Sequence, residues 1–467
     1  SGVGDGSGVG DGSDVREGSG VGDVCDRIKD VDSSESSGES VLSDRYDPDY
    51  VPSEDTQSTG DSDLDDDENS AEEKSERKFI VYEENLFELL TFCPQCGARV
   101  DRSLIEEVPL TGSQLHLKFH CVNNCNVDWK SQPTIGDFKG SGNLSMSTAI
   151  AFSGISFAKM ERFARLINLK FVSDSVYYRI KRDFIVPVVR HRWLKERKNM
   201  FKLLKTRNIV ILVGDGRCDS PGYSAKYCTY TFIDTESGNV IDTEVVPVCD
   251  VKNSNAMEKE GFIRILKRLK KEGVKVDIIS TDNHTQIKKY MRVHPDVKGI
   301  KHQVDPWHKI KNISKKINKA SKVKSRAELL QWIPSIVNHF WWSVTTGEKN
   351  AQIMYEKFSS IIHHSVNRHS WGGCKYFKEC AHEPLTKDEQ RSREWLVEGS
   401  EAHAYLVSLV KDKNLKNDFS YLTEAIHTTN VEVFNNLLLK YIPKQYHFEY
   451  DHMVMGVYLA ALDNIFN

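Results

Sequence analysis

Nowhere in these 467 residues is there an uninterrupted apolar run of about 18, the length a bilayer-spanning helix needs, so no membrane partner is expected. A secretory leader, with its basic start and short apolar stretch, is missing as well. The chain opens on Ser1 and stops at Asn467 inside an apolar periodic stretch, so its natural termini are expected to lie beyond it. Net charge is nearly absent, at −4, but the balance hides two opposed parts. Residues 1–80 carry 24 acidic against 7 basic side chains, and the remainder 43 acidic against 56 basic. A basic body fits a polyanionic partner, because Lys and Arg on phosphates release counterions. An ordinary solvated basic surface is the alternative.

Residues 1–78 read as a disordered acidic tail. The pentad Ser-Gly-Val-Gly-Asp starts at Ser1, Ser7 and Ser19, and Asp61-Ser-Asp-Leu-Asp-Asp-Asp-Glu68 follows. Such a composition cannot bury enough apolar surface to offset the entropy of ordering. Residues 79–135 read as a zinc-ribbon-like module and 136–204 as a helical region, with apolar and aromatic residues at helical spacing. From 205 to 324 the pattern changes to strand, strand, strand, helix, strand, helix, strand, helix. The strands are expected near 208–214, 226–234, 240–248, 274–280 and 298–304. The helices are expected near 255–272, after Asp282, and from Pro306 to about Lys322. That order is the α/β order of a ribonuclease-H-like core, a meander followed by crossover-linked parallel strands. Residues 325–420, rich in helix formers and tryptophan, read as an all-helical insertion. Residues 421–467 return an amphipathic helix.

Ten cysteines with no secretory signal point to a reducing compartment, and four of them have metal-ligand spacing. Cys93-Pro-Gln-Cys96 and the pair Cys121 and Cys125 make two knuckles, and paired thiolates form the tetrahedral cage that structural zinc favours. Gly97 permits a tight turn behind the first pair, and His120 is a possible substitute ligand. A second, less regular set, Cys374, Cys380 and His382, lies among His363, His364 and His369 in the insertion and is a candidate second zinc site. Free cysteines and clustered histidines are the plain alternatives.

Three separated carboxylates carry the chemistry. Asp215 follows the apolar run Asn208-Ile-Val-Ile-Leu-Val-Gly214, Asp282 follows Val274-Lys-Val-Asp-Ile-Ile-Ser-Thr281, and Glu432 sits in Thr428-Thr-Asn-Val-Glu-Val-Phe-Asn-Asn-Leu437. The C-terminal end of a parallel strand is where α/β folds place their chemistry. Two strand-end aspartates and a late helical glutamate can converge on two divalent ions, Mg²⁺ or Mn²⁺, with Asp215 shared between them. The ordinary readings are a turn residue for Asp215, a helix cap for Asp282 and a solvated side chain for Glu432. Asp219 is a further candidate carboxylate. Asp305 and His308, in Asp305-Pro-Trp-His308, stand before a helix bearing Lys309, Lys311, Lys315, Lys316, Lys319 and Lys322. His308 and Lys311 are placed to meet a phosphate.

These stretches give the chain a resemblance to transposase-derived DDE proteins found in fish and invertebrate genomes, which are similar to bacterial insertion-sequence transposases. The resemblance is carried by Trp129-Lys-Ser-Gln-Pro133, Gly214-Asp-Gly-Arg-Cys-Asp-Ser-Pro-Gly222, Met257-Glu-Lys-Glu-Gly-Phe262, Thr281-Asp-Asn-His-Thr-Gln-Ile287, Asp305-Pro-Trp-His-Lys-Ile-Lys-Asn312, Asn338-His-Phe-Trp341 and Thr428-Thr-Asn-Val-Glu-Val-Phe-Asn435. It spans roughly 90–467. It implies a ribonuclease-H-like core split by a helical insertion, with Asp215, Asp282 and Glu432 as the catalytic triad. It also implies DNA (transposon ends and target) as partner, homo-oligomeric assembly and action in the nucleus. No helix-turn-helix or THAP module accompanies it, so the zinc module and the helices of 145–203 are left to read DNA ends. A domesticated DNA- or chromatin-binding protein without catalytic activity is the second reading, and a plain structural zinc protein the third.

Overall fold

The computed structural model describes residues 77–109, 112–135, 140–220 and 224–466. Nearly all of the acidic tail therefore lies outside the described residues. The chain divides into two units, Ser1–Leu89 and Leu90–Asn467. Of the first, only the end is described, where α1 spans Glu83–Leu89.

The second unit opens on a small three-stranded antiparallel sheet in the order β1 (Glu106–Glu107), β2 (His116–His120) and β3 (Asn126–Lys130). Its main apolar cluster among the described residues is small: Cys93, Val100, Phe119, Cys121 and Val127, with Ile105, Cys125 and Trp129 against it. A cluster this small does not stabilise an independent module by burial alone. Four helices follow: α2 (Ser141–Phe152), α3 (Phe157–Leu166), α4 (Asp174–Ile180) and α5 (Val186–Lys205), with a π turn over Lys181–Ile185 before α5.

A five-stranded mixed sheet then forms from β4 (Ile211–Cys218), β5 (Tyr227–Asp234), β6 (Val240–Pro247), β7 (Ile278–Thr281) and β8 (Lys301–Val304). The spatial order is β6-β5-β4-β7-β8: β4, β5 and β6 are an antiparallel meander, and β7 and β8 join β4 in parallel. The crossovers carry α6 (Met257–Lys271) and α7 (Thr285–Val293). Helix α8 (Pro306–Ser321) follows β8. Alternate strand residues go to opposite faces, as the period-2 geometry requires. Val213, Ile233 and Val245 meet a core that includes Trp193 of α5, Val431, Phe434 and Leu438 of α15 (Thr429–Tyr441), and Met453 and Val457 of α16 (Tyr450–Phe466). Leu212, Tyr230 and Phe232 meet Phe262, Ile265 and Leu269 of α6 and Ile287 of α7. Covered on both sides, β5 is buried at every position.

Between α8 and α15 the chain builds a second core from α9 (Leu329–Thr345), α10 (Ala351–Ser359), α11 (Ile361–His364), α12 (Lys387–Ser392), α13 (Glu401–Val410) and α14 (Lys413–Asp418). Ile310, Ile313 and Ile317, one helical face of α8, pack there on Trp332, Ile336, Phe340, Phe358 and Phe419. The insertion is not all helix, as its composition predicts. Residues 365–386 form an irregular strap with one antiparallel bridge, Ser370 to Glu379. Gly372 and Gly373 (φ +86°) turn the chain there, and Pro384 interrupts any helix beyond it. No helix among the described residues is long and apolar enough to cross a membrane.

Candidate active site

The parallel pairing of β4 with β7 ends at Gly214 opposite Thr281. The next residue on each strand is a carboxylate, so Asp215 and Asp282 come side by side. Asp215 is not at a strand end, as its sequence setting predicts. Strand β4 runs on to Cys218 because its other edge keeps pairing with β5, Asp215 opposite Thr231 and Cys218 opposite Cys228. Only the parallel edge stops at Gly214, and that opens the gap beside Asp215.

The third carboxylate in the group is Glu258, in the first turn of α6. Single ligand oxygens of Asp215, Glu258 and Asp282 all lie within 4.8 Å of one another. Two glycines admit it. A Cβ on Gly216 would stand 2.2 Å from Cγ of Glu258, and one on Gly261 would stand 2.7 Å from Cβ of Tyr230, which holds α6 close to the sheet. In the sequence, Glu258 lies within the motif Met257-Glu-Lys-Glu-Gly-Phe262, which by itself assigns it no role. Helical spacing carries the missed signal: Glu258 falls in line with Gly261, Phe262 and Ile265, three buried residues, so a charged side chain sits on an apolar face.

Burial and, next, the Asp282 carboxylate push Asp215 up to about 7. Burial followed by Asp282 and Asp215 pushes Glu258 up to about 9. Like charges gathered in a poorly solvated place disfavour ionisation, and such shifts cluster where chemistry is done. The surroundings offer little relief. Asn435 Nδ2 donates to Asp215 Oδ2 at 3.1 Å, and the His284 amide donates to Asp282 Oδ1 at 3.0 Å. Glu258 Oε1, Tyr230 Oη, His284 Nδ1 and Asn435 Oδ1 are buried with no hydrogen-bond partner among the described residues. Buried polar atoms left this way call for a missing partner. Three oxygen donors with an unpartnered carboxylate oxygen fit a hard divalent cation.

Glu432 stands on the first turn of α15, exposed and outside the compact group. Its charge adds to the field that raises Asp215, and Asn435, one turn on, bonds that aspartate directly. His308 Nε2 is 3.4 Å from Glu432 Oε1. Asp305 holds these two helix starts together. It caps α8 by accepting from the Trp307 amide at 2.8 Å, and it accepts from the Thr428 amide and hydroxyl at 3.0 and 2.6 Å. Burial would raise its carboxyl, but hydrogen bonds from His427, Thr428 and Trp307 win and hold it down at about 2. Asp305 is thus a buried fixed anion that positions His308 and Glu432.

Asp219 lies in the β4–β5 turn, where its Oδ1 accepts from the Lys226 amide at 3.1 Å, apart from the three-carboxylate group. Lys311 rests over the Trp307 ring at 4.1 Å, while Lys309 is paired with Asp418 and does not face solvent freely. Lys311, Lys315, Lys316 and Lys319 are exposed along α8, opposite its apolar face, and Lys322 is exposed just after its end.

Sγ atoms of Cys93, Cys96, Cys121 and Cys125 also lie within 4.8 Å of one another, and His120 is not in that group. Gly97, at φ +73°, closes the first knuckle through its amide to the Cys93 carbonyl. An amide hydrogen bond from Ala98, then Asn123, draws the Cys96 thiol down to about 6. Four convergent thiols and a core too small to stand alone suit a structural metal. Of the second sequence-predicted set, Cys380 and His382 do come together, with His364 and His369. Cys374 is not among them: the Gly372-Gly373 turn sends it elsewhere, next to Glu356 and Trp371.

Residues 249–380 match the family model of Mutator-like transposases. That span holds Glu258, Asp282, Asp305 and His308. Among solved structures, the chain is similar to the Drosophila P element transposase in its strand transfer complex, with 13% identity, 70% of this chain and 93% of that chain covered, and a TM-score of 0.30. No curated protein matches. Over residues 249–380 the chain is thus similar to Mutator-like transposases, in keeping with the resemblance read from its motifs.

Proposed function

We propose that the chain is a DDE-type DNA transposase with a ribonuclease-H-like core, in which Asp215, Asp282 and Glu432, joined by Glu258, hold two Mg²⁺ or Mn²⁺ ions. The observation that carries this reading is the group Asp215–Glu258–Asp282, drawn within 4.8 Å and left with an unpartnered buried oxygen. A sheet in the order β6-β5-β4-β7-β8, with Asp215 on its central strand, supports it. Carboxylates suit ions of this kind, which keep several of their waters. When bound, the ions activate a water or a 3′-hydroxyl and neutralise charge on the phosphodiester.

The protein's own residues do the rest. Gly216 leaves space for Glu258, Asn435 fixes one oxygen of Asp215, and Asp305 sets His308 against Glu432. His308 is placed to hold a proton for the leaving oxygen. Exposed lysines of α8, together with Lys289, Arg292 and Lys416 around the cleft beside α7, form a surface for DNA phosphates. Zinc in the four-cysteine module would hold it folded. Action in the nucleus and assembly as a homo-oligomer follow from this function. A descendant that only binds DNA has no use for three carboxylates kept together against their repulsion, so the catalytic reading is preferred.

The test is strand cleavage and joining of a labelled DNA end by the full chain with Mg²⁺ or Mn²⁺. Activity that requires the ion and falls about 100-fold or more in Asp282→Asn is expected. Tight DNA binding without cleavage in either metal would overturn the proposal.

A further inference from the structure

We infer that the insertion carries its own structural zinc site, made by His364, His369, Cys380 and His382, which pins the strap of residues 365–386 to the end of α11. This goes beyond the reading of the active site and does not depend on it.

The four side chains come from different places. His364 ends α11, His369 and Cys380 flank the bridge between Ser370 and Glu379, and His382 follows it. Their ligand atoms all lie within 4.8 Å of one another. Cys380 Sγ is 3.5 Å from His364 Nδ1, and the three imidazoles sit with centroids 4.9 to 5.3 Å apart. Trp395 covers the rings of His364 and His369, at 5.6 and 5.9 Å.

Outer hydrogen bonds set the tautomers that a metal needs. His382 Nδ1 lies 2.7 Å from the Glu383 carbonyl, which can only accept, so Nδ1 carries the proton and Nε2 offers its lone pair. His369 Nε2 lies 2.9 Å from Asn367 Oδ1, and its Nδ1 is buried with no partner among the described residues. A ligating histidine tied at its other nitrogen to a carbonyl or amide oxygen is the usual arrangement around zinc. One thiolate and three imidazoles fill a tetrahedron and leave no open position, which marks a structural role.

The strap needs such a clip. Between residues 367 and 394, Trp371 is the one apolar side chain buried among the described residues. The other anchor is polar: the Glu356 carboxylate accepts from the amides of Lys375, Tyr376 and Phe377 at 3.3, 2.6 and 3.1 Å. Little burial is available to offset the entropy of ordering so long a segment.

The test is zinc content of the purified full chain by mass spectrometry. Cys380→Ser and His382→Ala are each expected to lose one zinc equivalent relative to the parent. Cys374→Ser is expected to keep the parent count, although its spacing in the sequence makes it an equal candidate. Paired Cys93→Ser and Cys96→Ser substitutions remove the first module's metal without touching this one. In that background, cobalt should still give the visible bands of a tetrahedral ion, and adding His382→Ala should abolish them. His382 is exposed, so that variant is expected to fold even where Cys380→Ser does not. Unchanged zinc in both Cys380→Ser and His382→Ala, or no cobalt bands in the background lacking the first module's thiols, would overturn the proposal.

Discussion

Glu258→Gln is expected to lower metal-dependent strand cleavage at least about 100-fold, the loss expected when a direct metal ligand is weakened, since even outer-shell partners are worth 10–100-fold. The substitution keeps shape and volume and removes only the charge, so α6 should pack as before against Tyr230 and Val246. Glu260, two residues further along α6 and outside the three-carboxylate group, offers the matched control: it pairs with Arg264 at 2.9 Å on the helix surface. Glu260→Gln should leave cleavage within a few-fold of the parent, because a surface pair of this kind is worth only about 0.3–0.5 kcal/mol. Parent-like cleavage by Glu258→Gln would remove Glu258 from the site and leave the reading of Asp215, Asp282 and Glu432 to stand without it.

Metal-free protein should lose stability as pH rises from about 5 to 9, and divalent ions should restore it most at the upper end. The sign follows from the raised carboxyls. Asp215 is held at about 7 and Glu258 at about 9, against ordinary values of 3.8 and 4.5. Between the ordinary and the raised values, the unfolded chain has released protons that the folded chain still holds. Stability contributed in this way is complete at low pH and falls with rising pH, until each group ionises in the fold. The two groups repel one another and titrate as a coupled set, so the combined loss is on the order of several kcal/mol and less than the sum of the separate shifts. A bound cation inverts the arithmetic, since it must displace those protons and then pairs with the charges they leave. Thermal unfolding with and without Mn²⁺, at pH 6 and pH 8.5, tests this. The rise in Tm caused by the ion should be larger at pH 8.5 and should shrink in Glu258→Gln, whose metal-free protein should in turn be the less pH-sensitive. An equal rise at both pH values would contradict the linkage.

Much of the strand and helix order was legible because its periodicities are strong. The apolar run before Asp215, the run before Asp282 and the amphipathic repeat of α6 each imply one element, and the sheet contains them. The places that misled have physical causes. Asp215 reads as a strand end because polar Gly214-Asp-Gly-Arg follows an apolar run, yet β4 continues, since pairing with β5 depends on the backbone and not on those side chains. Val274 and Val276 read as strand and are buried, but β7 pairs only from Ile278. Glu258 was hidden because two glutamates in a first helical turn are what the helix dipole favours anyway. Its significance depends on Gly216, 42 positions earlier, leaving the space it fills. The histidine cluster could be seen in composition, but which cysteine joins it is decided by the bridge of Ser370 with Glu379, a tertiary feature that spacing does not encode.

Anomalous diffraction from crystals of the full chain grown with Mn²⁺ and a DNA end tests the central claim most directly, because manganese favours carboxylate oxygen and scatters distinctively. The account predicts manganese bound to Asp215, Asp282 and Glu258. DNA bound in the crystal with no manganese on those three carboxylates would contradict it.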